Sequence, residues 1–152
     1  MKKRMRTSSQ MVNHTRMNGL GKSITKREDI KNFKVIEGLL EQGEDVITCF
    51  IGLHNWQTMA KHEGMYAYAV TKERLIYSKK TIFNTYIGEV RVRDIKDIHL
   101  EEGNIYGTLR IETRKDVLEI GIDNVTGNNI YNNLKDNVNI KGLYNKNKKD
   151  IG

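Results

Sequence analysis

Gly64-Met-Tyr-Ala-Tyr-Ala-Val-Thr-Lys-Glu-Arg-Leu-Ile-Tyr77 reads as a strand, a tight turn and a second strand. Met65, Ala67 and Ala69 alternate with Tyr66, Tyr68 and Val70, the period of two that a pleated strand imposes on its side chains. Thr71-Lys72-Glu73 is short and polar, as a hairpin connection requires, and Arg74-Leu75-Ile76-Tyr77 restarts the strand pattern. A hairpin of this kind sets the class of fold. It names no ligand.

Strand signals continue on both sides of it. Residues 45–54 form an apolar run, read as a first strand buried on much of both faces. Residues 55–63 read as a loop, and residues 85–92 as a fourth strand with Tyr86, Gly88, Val90 and Val92 in phase. Ile95, Ile98 and Leu100 carry a fifth, followed by the turn Glu101-Glu-Gly-Asn104. Residues 106–113 and 117–123 make a last hairpin across Arg114-Lys115-Asp116. Seven short strands with turn signals every ten residues or so predict a mainly β chain, a small antiparallel barrel or sandwich.

A helix is predicted at each end of this β unit. Thr25 with Glu28 three residues on has the spacing of a capping box, and Ile30, Phe33, Ile36 and Leu40 recur at helical intervals. Gly43 is placed to end that helix in the left-handed conformation. At the other end Asp123 or Asn124 can cap a helix carrying Ile130, Leu134 and Val138 on one face. Its Asn residues and Gly127 are poor helix formers, so it must depend on docking, plugging an open end of the barrel. The expected division is residues 1–22 as a basic, disordered tail, 23–43 as the N-terminal helix, 44–139 as the β domain and 140–152 as a polar tail.

The chain has 152 residues and a formal charge of +7. Its mean hydropathy is -0.63. The charge is unevenly placed: eight Lys or Arg residues and no acid precede Glu28, and Lys141, Lys146, Lys148 and Lys149 cluster at the C-terminus. Basicity therefore belongs to the tails. A tail carrying Lys2, Lys3, Arg4, Arg6, Arg16 and Lys22 can bind phosphates of nucleic acid or anionic lipid by counterion release, or can simply solubilise the chain. Cys49 is the only cysteine, which excludes an intramolecular disulfide and fits a reducing, cytoplasmic setting. In its apolar run it reads as a small core residue. No run approaches the roughly 18 apolar residues of a membrane span.

Several pieces together resemble a known family: Leu39-Leu-Glu-Gln-Gly-Glu-Asp-Val46, Gly64-x-x-x-x-Val-Thr-x-x-Arg-Leu-Ile-Tyr77, Val92-Arg-Asp-Ile-Lys-Asp-Ile98 and Gly107-Thr-Leu-Arg-Ile-Glu-Thr113. Their order and spacing resemble the bacterial pleckstrin-homology (PH) domains of the YokE-like type, over roughly residues 37–138. The resemblance implies two orthogonal antiparallel sheets of four and three strands, capped by the C-terminal helix and preceded by an added helix. It also implies an anion site among three loops, which here hold Lys61 and His62, Lys79 and Lys80, and Arg114 and Lys115. Such groups hold phosphates by charge-assisted hydrogen bonds, or are ordinary solvated loop charges. Lys61 followed by Lys72-Glu-Arg74 fits the family's phosphoinositide formula as text, but Lys72 and Arg74 fall in the turn at the far end from Lys61. Trp56, beside Met59, is either an exposed partner anchor or a side chain folded onto the barrel rim. Tyr66 and Tyr68 share a face and read as core or rim packing.

No chemistry emerges from the remaining motifs. His14, His54, His62 and His99 lack metal-ligand spacing and one Cys excludes a paired-Cys zinc site, so neither metal nor cofactor is expected. Gly19-Leu-Gly-Lys-Ser23 ends like a phosphate loop but lacks its first glycine and a preceding strand. Glu101 and Glu102 are adjacent turn charges, and no nucleophile has a base beside it. The expected function is a non-catalytic module that docks a protein partner or a second copy of itself, a phage protein that blocks a host factor being one version. The alternative is nucleic-acid or anionic-membrane binding through the basic arm and loops.

Overall fold

In the computed structural model, which describes residues 4–138, the central hairpin forms with Ala67 opposite Ser78 and Val70 opposite Leu75. Around it the elements follow as α1 Ser8–Met17, α2 Lys26–Leu39, β1 Val46–His54, β2 Met65–Thr71, β3 Arg74–Lys80, β4 Thr85–Arg91, a 3-10 turn Val92–Asp94, β5 Ile95–Glu101, β6 Tyr106–Thr113, β7 Val117–Asp123 and α3 Asn124–Asn137. The strands make one curled antiparallel sheet in the order β4-β3-β2-β1-β7-β6-β5, a half-barrel. The expected groups of four and three strands are therefore halves of a single sheet. They join only where Leu53 and His54 of β1 meet Gly121 and Ile120 of β7.

Two cores lie on opposite faces of this sheet. Phe50, Tyr68, Leu75, Ile98, Leu109 and Ile120 fill the concave side, where Ile130, Leu134 and Val138 close the barrel. This is the docking that so weak a helix needs, with Asp123 accepting from the Thr126 amide as its N-cap. The second core covers the convex side. Met5, Met11, Val12, Phe33 and Ile36 pack on Val46, Cys49, Ile51, Ala67, Ala69 and Ile76. The two alanines of β2 have side chains short enough to let α2 approach the sheet closely, and α1 packs on α2 and β1. All eleven of these side chains are at most 1% exposed.

The second core corrects the expectation of a disordered tail over residues 1–22. Lys2 and Lys3 lie outside the described residues, but from Arg4 onward the segment is part of the fold. Thr7 caps α1 with a complete capping box through Gln10. Met5 exchanges both backbone hydrogen bonds with Val46, at 3.0 and 2.8 Å, and the Ile51 amide donates to the Leu20 carbonyl at 3.0 Å. The segment thus runs beside β1 where β7 has diverged, and supplies partners to backbone groups that the split would leave bare. Buried Asp29 fixes the connection to α2, accepting from the Ser23 amide and pairing with Arg16 at 3.2 Å. Sequence patterning missed α1 because only Ser8, Met11, Val12 and Thr15 are buried on a short polar helix, and two of the four are polar.

Two smaller corrections concern α2. Thr25 accepts from the Glu28 amide, the N-cap half of the expected box. The helix stops at Leu39, before Gly43, whose φ of +81° serves the turn after it. The polar tail, residues 140–152, lies outside the described residues.

Candidate functional site

The sequence points to three loops, and the fold places them unequally. The β1–β2 loop and the end of β3 are tied together, Lys79 Nζ donating to the Glu63 carbonyl at 3.1 Å. Lys61 is exposed at a tight turn closed by its amide on the Thr58 carbonyl. His62 is half-buried, its Nδ1 accepting from the Gly64 amide at 2.9 Å. Lys80 is exposed and reaches Thr85 Oγ1 at 2.9 Å. Arg114 instead turns toward Asp94 at 3.9 Å, beside the start of β5, while Lys115 stays in solvent. The depression next to Trp56 holds Lys61 and His62 together with Glu63 and Glu119, so cations do not dominate it.

Trp56 is 8% exposed, and this decides between its two readings. The indole lies on the outer face of β6 and β7, stacked with Tyr106 at 5.6 Å and His62 at 6.0 Å between centroids. Gly121 makes the slot, because a Cβ there would meet the indole ring. Tyr66 and Tyr68 are core residues. With Tyr77 they surround His54, which stacks on Tyr66 at 4.3 Å and bonds Tyr68 Oη through Nδ1 at 2.8 Å. Burial lowers the His54 pKa and pushes the Tyr66 phenol up to about 12, so both stay neutral near pH 7. Burial likewise raises the Cys49 thiol, which donates to the Met11 carbonyl. Among the described residues no group of three or more His, Cys, Asp or Glu side chains can hold a metal, and no helix is long and apolar enough to cross a membrane.

Two features escaped the sequence reading. The first is the β3–β4 tip and the strand after it: Ile82 is 83% exposed, Phe83 88%, Tyr86 45% and Ile87 53%. β4 pairs with β3 on one side, and among the described residues nothing pairs with its other edge. Period-two patterning assigned Tyr86 to a strand but could not tell an edge strand from a central one. The second is the basic end of α2. Asn32 bonds the Lys80 amide and the Met65 carbonyl, so the turns before it, carrying Lys26, Arg27 and Lys31, sit at the end of the sheet where Lys79 and Lys80 lie. Of the described residues of the basic arm, Arg6 pairs with Asp45 and Arg16 with Asp29, while Arg4 and Lys22 are exposed.

Comparison with known proteins returns one finding: the family model described as bacterial PH domain matches residues 40–136. No curated protein and no solved structure matches the chain.

Proposed function

Since this chain belongs to the bacterial PH domain family, whose members serve as interaction modules for protein or lipid, we propose that it is a non-catalytic module that docks a protein along β4. The YokE-like subtype is part of the same proposal. What carries the reading is the set of exposed apolar side chains, Ile82 and Phe83 at the β3–β4 tip and Tyr86 and Ile87 on β4, whose outer hydrogen-bonding edge is unpaired among the described residues. An added strand gains backbone hydrogen bonds at such an edge, and alternate side chains supply specificity. A second copy of the chain is one partner of this kind.

Affinity capture from lysate with light scattering tests this. Wild type retains a partner or runs as a dimer, and F83S/I87K loses it while I105S, altered at a separate exposed site, does not. A strict monomer that captures nothing, or a partner indifferent to F83S/I87K, refutes the proposal.

A second reading rests on the cations that α2 brings beside Lys79 and Lys80. They favour an anionic surface over the free arm first expected. Binding to phosphatidylglycerol vesicles or duplex DNA that falls steeply with salt and is lost in K26Q/R27Q/K31Q supports it, and salt-independent or absent binding removes it.

A further inference from the structure

The end of the sheet opposite the β3–β4 tip encloses a cavity of about 880 Å³ between the 41–45 loop, the β2–β3 turn and the end of β4. That volume lies in the usual range for small-molecule sites, about 300–1,000 Å³. Its floor is Arg74, whose charge is satisfied within the fold. Nε and Nη2 bond the two Glu44 carboxylate oxygens at 2.9 and 2.8 Å, and Nη1 bonds Glu89 at 2.7 Å. Nη2 also donates to the Leu39 carbonyl at 2.9 Å. Among the lining acids, Glu44 and Glu89 thus share the single charge of Arg74, and Asp45 is engaged by Arg6.

The cations above this floor are in a different state. Arg4, Lys72, Arg91 and Arg93 line the cavity and are exposed, and among the described residues none has a carboxylate partner. Glu41 and Glu73 are the lining acids without a cation partner among the described residues. The walls are fixed to one another, since the Val92 amide, between the two arginines, donates to the Glu73 carbonyl at 2.9 Å. Like charges lining one cavity repel one another unless an anion lies between them.

We propose that this cavity is a binding site for a small polyanion, a ligand carrying two or more phosphate or carboxylate groups. The guanidinium forks of Arg91 and Arg93 suit either group in bidentate geometry, and Lys72 adds a mobile point charge. The five lining cations are matched by five lining acids, so net charge does not draw an anion here, and recognition rests on the two guanidinium forks, one for each of two anionic groups. The site lies at the other end of the sheet from Lys61, Lys79 and Lys80, and at the opposite end of β4 from Ile82, Phe83 and Ile87.

Titration calorimetry of the full chain with pyrophosphate, and separately with citrate, tests the proposal and separates the two chemistries. Binding of either is saturable at one site. R91Q/R93Q weakens it by about tenfold or more, as expected for the loss of charge-assisted bonds, while K34Q/K96Q, at exposed lysines outside the cavity, leaves it unchanged. All four positions are exposed, so an unchanged thermal midpoint confirms that both variants fold. Absence of heat with both ligands at millimolar concentration overturns the proposal. Equal weakening in the two double variants also overturns it, because attraction to net charge alone would produce that result.

Discussion

Replacing Met11 by Ala tests whether the N-terminal segment belongs to the fold. Met11 is fully buried against the convex face of the sheet and touches the second core around Cys49 and Phe33. Truncation removes the equivalent of about three methylene groups, worth about 2.4 kcal/mol in transfer, and the unfilled space raises the cost to about 3 kcal/mol. Against a total stability of about 5–15 kcal/mol that is a large fraction. Trp56, the sole tryptophan, is buried on another part of the sheet and reports global unfolding. With a urea slope of about 2 kcal/mol/M, the midpoint of its fluorescence transition falls by about 1.5 M. Met17, on the same helix but 81% exposed, is the control, and M17A leaves the unfolding free energy within about 0.5 kcal/mol of wild type. A loss below about 0.5 kcal/mol in M11A would mean that α1 does not pack on the sheet in solution, and the two-core account would fall with it.

Three further outcomes follow from the same structure. The Arg74 hydrogen bonds pull the Glu44 carboxyl down from the ordinary 4.5 to about 2 against the opposing effect of burial. A depressed acid stabilises the fold above its unfolded pKa and loses that contribution as pH falls toward the folded value. E44Q should therefore cost about 2–3 kcal/mol at pH 7, and the gap to wild type should close between about pH 5 and 2 in denaturant titrations, whereas a constant gap would contradict the pair. G121A puts a methyl group where the indole lies, so it should destabilise by about 1–3 kcal/mol and shift Trp56 emission to the red. Cys49, buried with its thiol pKa raised, should resist iodoacetamide in the native state and react in M11A. Equal reaction rates in the two proteins would show that α1 does not shield it.

Local pattern was enough for the β unit because each strand announces itself by alternation and each turn by composition. The hairpin through Thr71–Arg74, the strand at Ile95 and the docked face of α3 all follow from period and capping within about a dozen residues. The candidate site was less legible. Lys61, His62, Lys79 and Lys80 were found as loop cations, but what surrounds them was not: Glu63 and Glu119 beside Lys61, or α2 bringing Lys26 and Arg27 to Lys80. Trp56 shows the same limit, since its slot is made by Gly121, 65 positions away.

Sequence alone determined the antiparallel β class, the capping role of the C-terminal helix and the absence of a disulfide. These depend on residue types and on spacings short enough for neighbours to enforce. Tertiary structure alone decided that residues 4–22 fold onto the convex face and, among the described residues, that the outer edge of β4 is unpaired and that Arg74 is engaged by Glu44 while Arg91 and Arg93 have no carboxylate partner. A short polar helix becomes stable only when α2 and β1 give its buried side chains a surface to pack on. Whether an arginine is free or committed depends on which carboxylate the chain carries to within 3 Å of it, and no local period encodes that distance.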